Sequence, residues 1–219
     1  MCLNRPERRN AIDQRLLEGL LEAFAKPDAQ AVVLCSESAS AFCAGLDRGL
    51  PVGERPRVSD GLYRLYQLML ACEAVIVAAL NGHVVGGGVQ LALASDIRIA
   101  GPDTVLRLAG LGHGLAVGAW GLPSLVGRGR ALELCLSMRP VDAAEAFRLG
   151  LVDRLEPAPA EAAIGFAREI AALDADAVRR CKQIVARAAG DADALAFERA
   201  GNVSWNGEIA PLAGSGAPR

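Results

Sequence analysis

The sequence predicts an α/β fold, and three observations carry that expectation. Short apolar runs at residues 31–35 (AVVLC) and 75–80 (VIVAAL) have the length and β-branched content of buried strands. Longer segments around them place apolar residues at helical spacing. A glycine triplet, Gly86, Gly87 and Gly88, follows a strand and turn and opens a helix-like run. Strands alternating with helices in this way define the α/β class.

The elements follow in order. Asn10 reads as an N-cap, after which Ile12, Leu16, Leu17, Leu20, Leu21 and Phe24 keep helical spacing until Pro27 stops them. Residues 31–35 form the first strand. Residues 36–50 (SESASAFCAGLDRGL) read as a loop of small residues, and residues 51–56 as the most linker-like stretch before the C-terminus. Leu62, Leu65, Tyr66, Met69 and Cys72 mark a second helix, and residues 75–80 a second strand closed by the Asn81-Gly82 turn. GGGVQLALAS is a helix entered through glycines; residues 96–100 and 105–108 are further strands. From Ala116 the pattern is mostly helical, interrupted by GRG near Arg128 and by a capping position at Asp142. LVDRL is a short strand after the helix stop at Gly150, and EPAPA near residue 158 marks a joint. Ala-rich helices continue to about Ala200, followed by a loop-like tail, GEIAPLAGSGAPR. The chain thus divides into a core, residues 1–157, and a C-terminal helical region, residues 158–219.

Composition removes several function classes. The 219 residues are 52% hydrophobic and 22% charged, enough apolar material for a sizeable core and too much for disorder. With 23 Lys plus Arg against 25 Asp plus Glu, no basic surplus exists to neutralise nucleic-acid phosphates. The longest central apolar run is far too short to cross a bilayer, and the charged start MCLNRPERRN is not a signal peptide. The six cysteines show no zinc-like or redox-pair spacing and read as buried free thiols. A cytoplasmic protein with no partner among nucleic acids or membranes, and with no metal, is the expectation.

Two segments could carry chemistry. Glycines at a helix start leave backbone N–H groups unpaired and let a ligand approach the backbone. A phosphate loop does not fit here: Gly82 and Gly87 have the spacing, but Gly88 stands where lysine is required. No G-x-G-x-x-G can be drawn either. The second segment, AFCAGLD at residues 41–47, also follows a strand and loop. Two such loops could aim two N–H donors at one oxygen, which is an oxyanion hole. A close-packed helix start is the alternative for the triplet.

Taken together, LNRPERRNAI, AFCAGLD, AVIVAALNGHVVGGGVQLALASDIRIA, GLPSLVGRGRALEL and AAEAFRLGLVDRL occur in an order that resembles the enoyl-CoA hydratase/isomerase (crotonase) family, over roughly residues 3–185. The resemblance implies a crotonase-like spiral of strand–strand–helix turns over residues 1–157, with the helical region serving oligomerisation. It implies trimers or dimers of trimers, and an acyl-coenzyme A thioester as ligand. No cofactor is expected beyond coenzyme A as part of that thioester.

By motif position, the resemblance implies that the thioester oxygen would be held by the backbone N–H groups of Leu46 and Gly87. The enolate-like anion at the α-carbon would be stabilised there. Ala44, Leu46, Asp47, Gly86 and Gly87 would surround the thioester, with Arg5 and Arg8 (and Arg9) near the coenzyme A phosphates. An ordinary solvated surface is the alternative for these arginines. Hydratases of the family use two glutamates as acid and base; here the first position is Gln90. The second falls at Gly110, or near Arg107 if aligned backward from LVGRGRALEL. Glutamine orients water but takes no proton near neutral pH. Each acid–base group contributes about 10²–10⁴-fold, so hydration should be slight. His113 could move protons instead, or serve as a helix-start or core residue. His83 and Asp96 read as structural. The expected chemistry is isomerisation, thioester hydrolysis, carbon–carbon cleavage or decarboxylation; the alternative is a non-catalytic acyl-CoA-binding or assembly paralogue. The usual closing Lys/Arg-rich segment of the family is not recognisable.

Overall fold

A computed structural model describes residues 1–209. It begins with β1 (Cys2–Leu3), a 3-10 turn at Pro6–Arg8 and helix α1 (Gln14–Ala25). The cap of α1 is Asp13, whose carboxylate accepts the Leu16 N–H at 2.8 Å. Asn10, expected at that position, has a left-handed φ of 53° and is fully buried. Its side-chain amide donates to Ser36 Oγ at 2.7 Å and Phe42 O at 3.0 Å. The same short polar side chain that suits a cap here ties two loops together.

Strand β2 (Ala31–Ser36) is followed by β3 (Ala41–Cys43), a 3-10 turn at Val52–Glu54 and helix α2 (Arg55–Ala71). Two expectations are corrected here. The supposed loop at residues 36–50 contains β3, too short to display an alternation. The linker-like stretch is the entry to α2, with Pro56 in its first turn, where proline is tolerated.

Next come β4 (Val75–Leu80), β5 (His83–Val85) and α3 (Gly87–Leu93), then β6 (Ile97–Ala100) and β7 (Val105–Arg107). A 3-10 turn at Gly110–His113 precedes α4 (Leu122–Val126) and α5 (Arg128–Ser137). Residues 114–121 are irregular, not helical as the pattern from Ala116 suggested. The chain continues through β8 (Val141–Asp142), α6 (Ala143–Leu149), β9 (Arg154–Leu155), α7 (Pro159–Ala171), α8 (Ala175–Ala189) and α9 (Asp191–Gly201). Asp142 caps α6 as expected, accepting the Glu145 N–H at 2.8 Å, and Gly150 ends it at φ 84°. Most of the tail GEIAPLAGSGAPR lies outside the described residues.

The strands form two sheets. One runs β1-β2-β4-β6-β9, all parallel; the other runs β3-β5-β7-β8, with only β8 antiparallel. From β2 to β7 the strands alternate between the sheets, and a helical segment returns the chain: β2–β3–α2, β4–β5–α3, β6–β7 and the helices beyond. This is a spiral of strand–strand–helix turns, as expected.

β4 is apolar throughout because both its faces are covered. Ile76, Ala78 and Leu80 join the main core, while Val77 and Ala79 pack with Ile99, Ala163 and Ile170 under α7. Of the cysteines, Cys43 and Cys72 are buried, but Cys2 and Cys181 are exposed, so the expectation of buried thiols holds only in part. Asp96 is structural: it accepts the Ile76 N–H and the Lys182 ammonium, each at 2.7 Å. Among the described residues no helix is long and apolar enough to cross a membrane.

Candidate active site

A cavity of about 420 Å³ lies where β3, β5 and β7 end at their carboxyl edges. Ala44, Gly45 and Leu46 follow β3, Gly86 and Gly87 follow β5, and Ala109 and Gly110 follow β7; all line it. Gly45 makes the central contact. Its φ is 85°, and a Cβ there would stand 2.7 Å from Val85 O and 3.0 Å from Gly87 N. Only glycine combines that backbone with that approach. The two loops singled out from the sequence therefore touch. Gly87 is the first residue of α3, so its N–H has no partner within the helix. Among the described residues, neither the Leu46 nor the Gly87 N–H has a backbone acceptor.

Gln90, one turn into α3, lines the same cavity and is 3% exposed. Its Oε1 accepts the Trp120 indole N–H at 3.0 Å, which fixes the amide. Trp120 is held in turn by Glu198, whose Oε2 accepts the Trp120 backbone N–H at 3.0 Å. Glu198 Oε1 accepts the Tyr63 hydroxyl at 3.0 Å and the Gly118 N–H at 3.1 Å. Burial pushes this carboxyl above the ordinary range; the donors from Gly118, Tyr63, Trp120 and Ala119 only partly offset it. Asn202, the C-cap residue of α9, brackets Ala116 through both its N–H and its C=O. The loop at residues 116–120 is thus suspended from α9.

Gly110 has no room for any side chain: a Cβ would meet Val117 Cβ at 2.5 Å and Leu115 O at 2.7 Å. Arg107, the other aligned position, lines the cavity while its Nε donates to Met138 O at 2.8 Å. His113 lines the cavity from the end of its 3-10 turn. His83, expected to be structural, also lines the cavity and is exposed at the start of β5. Cys43 sits behind the Gly45 loop, fully buried, with its thiol pushed up to about 12 by burial; that suits packing, not nucleophilic attack.

Arg5, Arg8 and Asp47 lie beside this cavity's donor loop but do not line it. Arg5 donates to Asp47 Oδ2 at 2.6 Å and Ala11 O at 2.9 Å, and pairs with Asp13 at 3.3 Å. Arg8 reaches Asp47 at 3.5 Å and is half exposed. Burial pushes the Asp47 carboxyl up, but the Arg5 and Gly49 hydrogen bonds and the charges of Arg5 and Arg8 outweigh it and leave it below the usual value.

The structure therefore gathers Ala44, Leu46, Gly86, Gly87, Gln90, Gly110 and His113 around one cavity and leaves Arg5, Arg8 and Asp47 outside it. The sequence reading missed Tyr63, Glu198, Trp205 and Ile209. The one available signal was the four-residue spacing of Glu198 and Asn202 on α9, which has no meaning until the partner loop is known. A larger hollow, about 780 Å³, lies between α8 and the main sheet but contains none of these groups.

The family model for enoyl-CoA hydratase/isomerase matches residues 1–204. A probable enoyl-CoA hydratase of Mycobacterium bovis, echA6, is 36% identical over 192 residues, covering 84% of this chain and 76% of the relative. The crystal structure of an enoyl-CoA hydratase from Bacillus anthracis superposes with a TM-score of 0.79 at 30% identity, covering 90% of this chain and 84% of the other. An enoyl-CoA hydratase/isomerase structure from Mycobacterium paratuberculosis gives a TM-score of 0.86 at 26% identity, covering 94% and 88%. A motif order, a two-sheet spiral and these likenesses agree: the chain belongs to the enoyl-CoA hydratase/isomerase family.

Proposed function

We propose that the cavity binds an acyl-coenzyme A thioester and holds its carbonyl oxygen with the backbone N–H groups of Leu46 and Gly87. The observation that supports this is the contact of the two loops at Gly45, with Leu46 and Gly87 both among the residues that line the cavity. Such donors stabilise charge as it develops on the oxygen, and losing one typically costs about 2.7–4 kcal/mol. The stabilised oxyanion is an enolate in isomerisation, carbon–carbon cleavage and decarboxylation, and a tetrahedral adduct of water that expels the thiol in thioester hydrolysis.

Ordinary hydration is not the proposed reaction. Gln90 stands at the first glutamate position, its carbonyl end engaged by Trp120. Gly110 lacks the space for any carboxylate. These two facts also favour a second reading, a non-catalytic subunit that binds the thioester without turning it over. His113 is the cavity group that separates the readings, since an imidazole is a side chain able to move a proton. Arg8, half exposed beside the donor loop, is the arginine better placed to meet coenzyme A phosphates; Arg5 is engaged by Asp47 and Asp13.

The test is proton NMR of a short trans-2-enoyl-CoA in deuterated water with the native chain and a Gln90→Glu variant. Hydration is expected at most in the variant. α-Deuteration, double-bond movement or hydrolysis by the native chain would establish catalysis. Binding without any of these would establish the second reading. Rapid hydration by the native chain would overturn both.

A further inference from the structure

After α9 the chain turns back across the candidate cavity, and this segment has its own fastening. Arg55, at the start of α2, donates from Nε to Leu50 O at 3.0 Å, from one terminal nitrogen to Arg48 O at 2.8 Å and from the other to Gly207 O at 3.1 Å. One guanidinium thus joins the loop that carries Leu46 to the segment beyond α9. Gly207 is buried at φ 87°, and a Cβ there would collide with Val52 O, so the segment lies flush on the entry to α2. Seated this way, Trp205 and Ile209 line the cavity. They and His113 also line an adjoining hollow of about 590 Å³, so these three side chains form the partition between the two spaces. The Trp205 indole N–H donates to Glu208 O at 3.1 Å, so what the indole and the branched alkyl group present suits an acyl chain better than a phosphate.

We propose that Trp205 and Ile209 are specificity-determining residues that close the acyl end of the cavity and limit the size of the acyl group admitted. The Arg55 fork holds them in place. This rests on the thioester reading of the site and adds the determinant of its selectivity. Removing the Trp205 ring would join the inner cavity to the outer hollow and give a longer chain somewhere to lie.

The experiment is calorimetric titration of the full chain, native and as Trp205→Ala and Ile209→Ala, with free coenzyme A and with its butanoyl, octanoyl and dodecanoyl thioesters. The expected result is a rise of about tenfold in the dodecanoyl-to-butanoyl affinity ratio for Trp205→Ala, since each additional buried methylene favours binding severalfold. Ile209→Ala should shift the ratio in the same direction by less, with free coenzyme A unaffected. An unchanged ratio, or equal weakening of every thioester and of free coenzyme A, would overturn the proposal. Circular dichroism checks folding; if Trp205→Ala does not fold, Trp205→Leu and Ile209→Ala decide the outcome by the same ratio. A native chain that binds none of the thioesters would remove the thioester reading itself, and this proposal with it, before any variant is compared.

Discussion

Glu198 and Asp47 are both buried carboxylates near the cavity, and their surroundings push them in opposite directions. Glu198 accepts hydrogen bonds from Tyr63, Gly118 and Trp120 with no cation among those partners. Truncating it would strand several buried donors, so Glu198→Ala should lose about 2–4 kcal/mol in urea unfolding, and Glu198→Gln clearly less. Asp47 is held below the usual carboxylate value, and a depressed folded value makes a stabilisation that is present above the unfolded value, about 3.9, and lost as pH falls through the folded one. Asp47→Asn should therefore cost about 1–3 kcal/mol at pH 7. That cost should begin to shrink below about pH 4, as the unfolded chain's carboxyl takes up a proton while the folded one stays ionised, and the charge's share should be gone once pH falls below the depressed folded value. A penalty that stays constant down to pH 2.5 would show that the charge contributes nothing.

At the scale of elements, the cavity depends on three strand ends meeting three loops. The Gly45 loop and the start of α3 are pressed together with no space for one methyl group. Gly45→Ala should combine left-handed strain with a backbone collision and lose about 1–3 kcal/mol, measured by chemical unfolding. It should also abolish thioester binding in calorimetry. Retention of binding at native affinity would mean that the donors are not arranged as proposed. β3 and β5 were illegible beforehand because three residues are too few to show a measurable period. Asn10 misled for a related reason: residues with short polar side chains cap helices and bridge loops equally well.

Across the whole molecule, the C-terminal helices present apolar surface. No residue of α8 is buried, and Ile184 and Val185 are 70% and 63% exposed. Phe197 on α9 is 84% exposed. Exposed apolar side chains of this kind suit an interaction surface, and we propose that they serve the trimers or dimers of trimers that the family resemblance implies. Sedimentation of the native chain is expected to show a species larger than the monomer. An Ile184→Glu, Phe197→Glu double variant should move it toward monomer, because a buried unpaired carboxylate is costly. A native chain that sediments as a monomer at micromolar concentration would count against self-association.

The sequence alone determined the α/β class, the long helices, β2, β4 and the positions of the two small-residue loops. Those features rest on local physics: apolar periodicity over ten or more residues, proline and glycine punctuation, and the N–H groups left open at a helix start. The resemblance to the family added the expectation that Gln90 stands where its hydratases carry a glutamate. Tertiary structure decided everything that joins residues distant in the chain. It placed Glu198 under Trp120 and Gln90, turned Arg5 toward Asp47, denied Gly110 a side chain and laid Trp205 and Ile209 across the cavity. Hydrogen-bond partners 80 or 150 residues apart leave no period to read, because their spacing is set by the winding of the spiral and not by any single element.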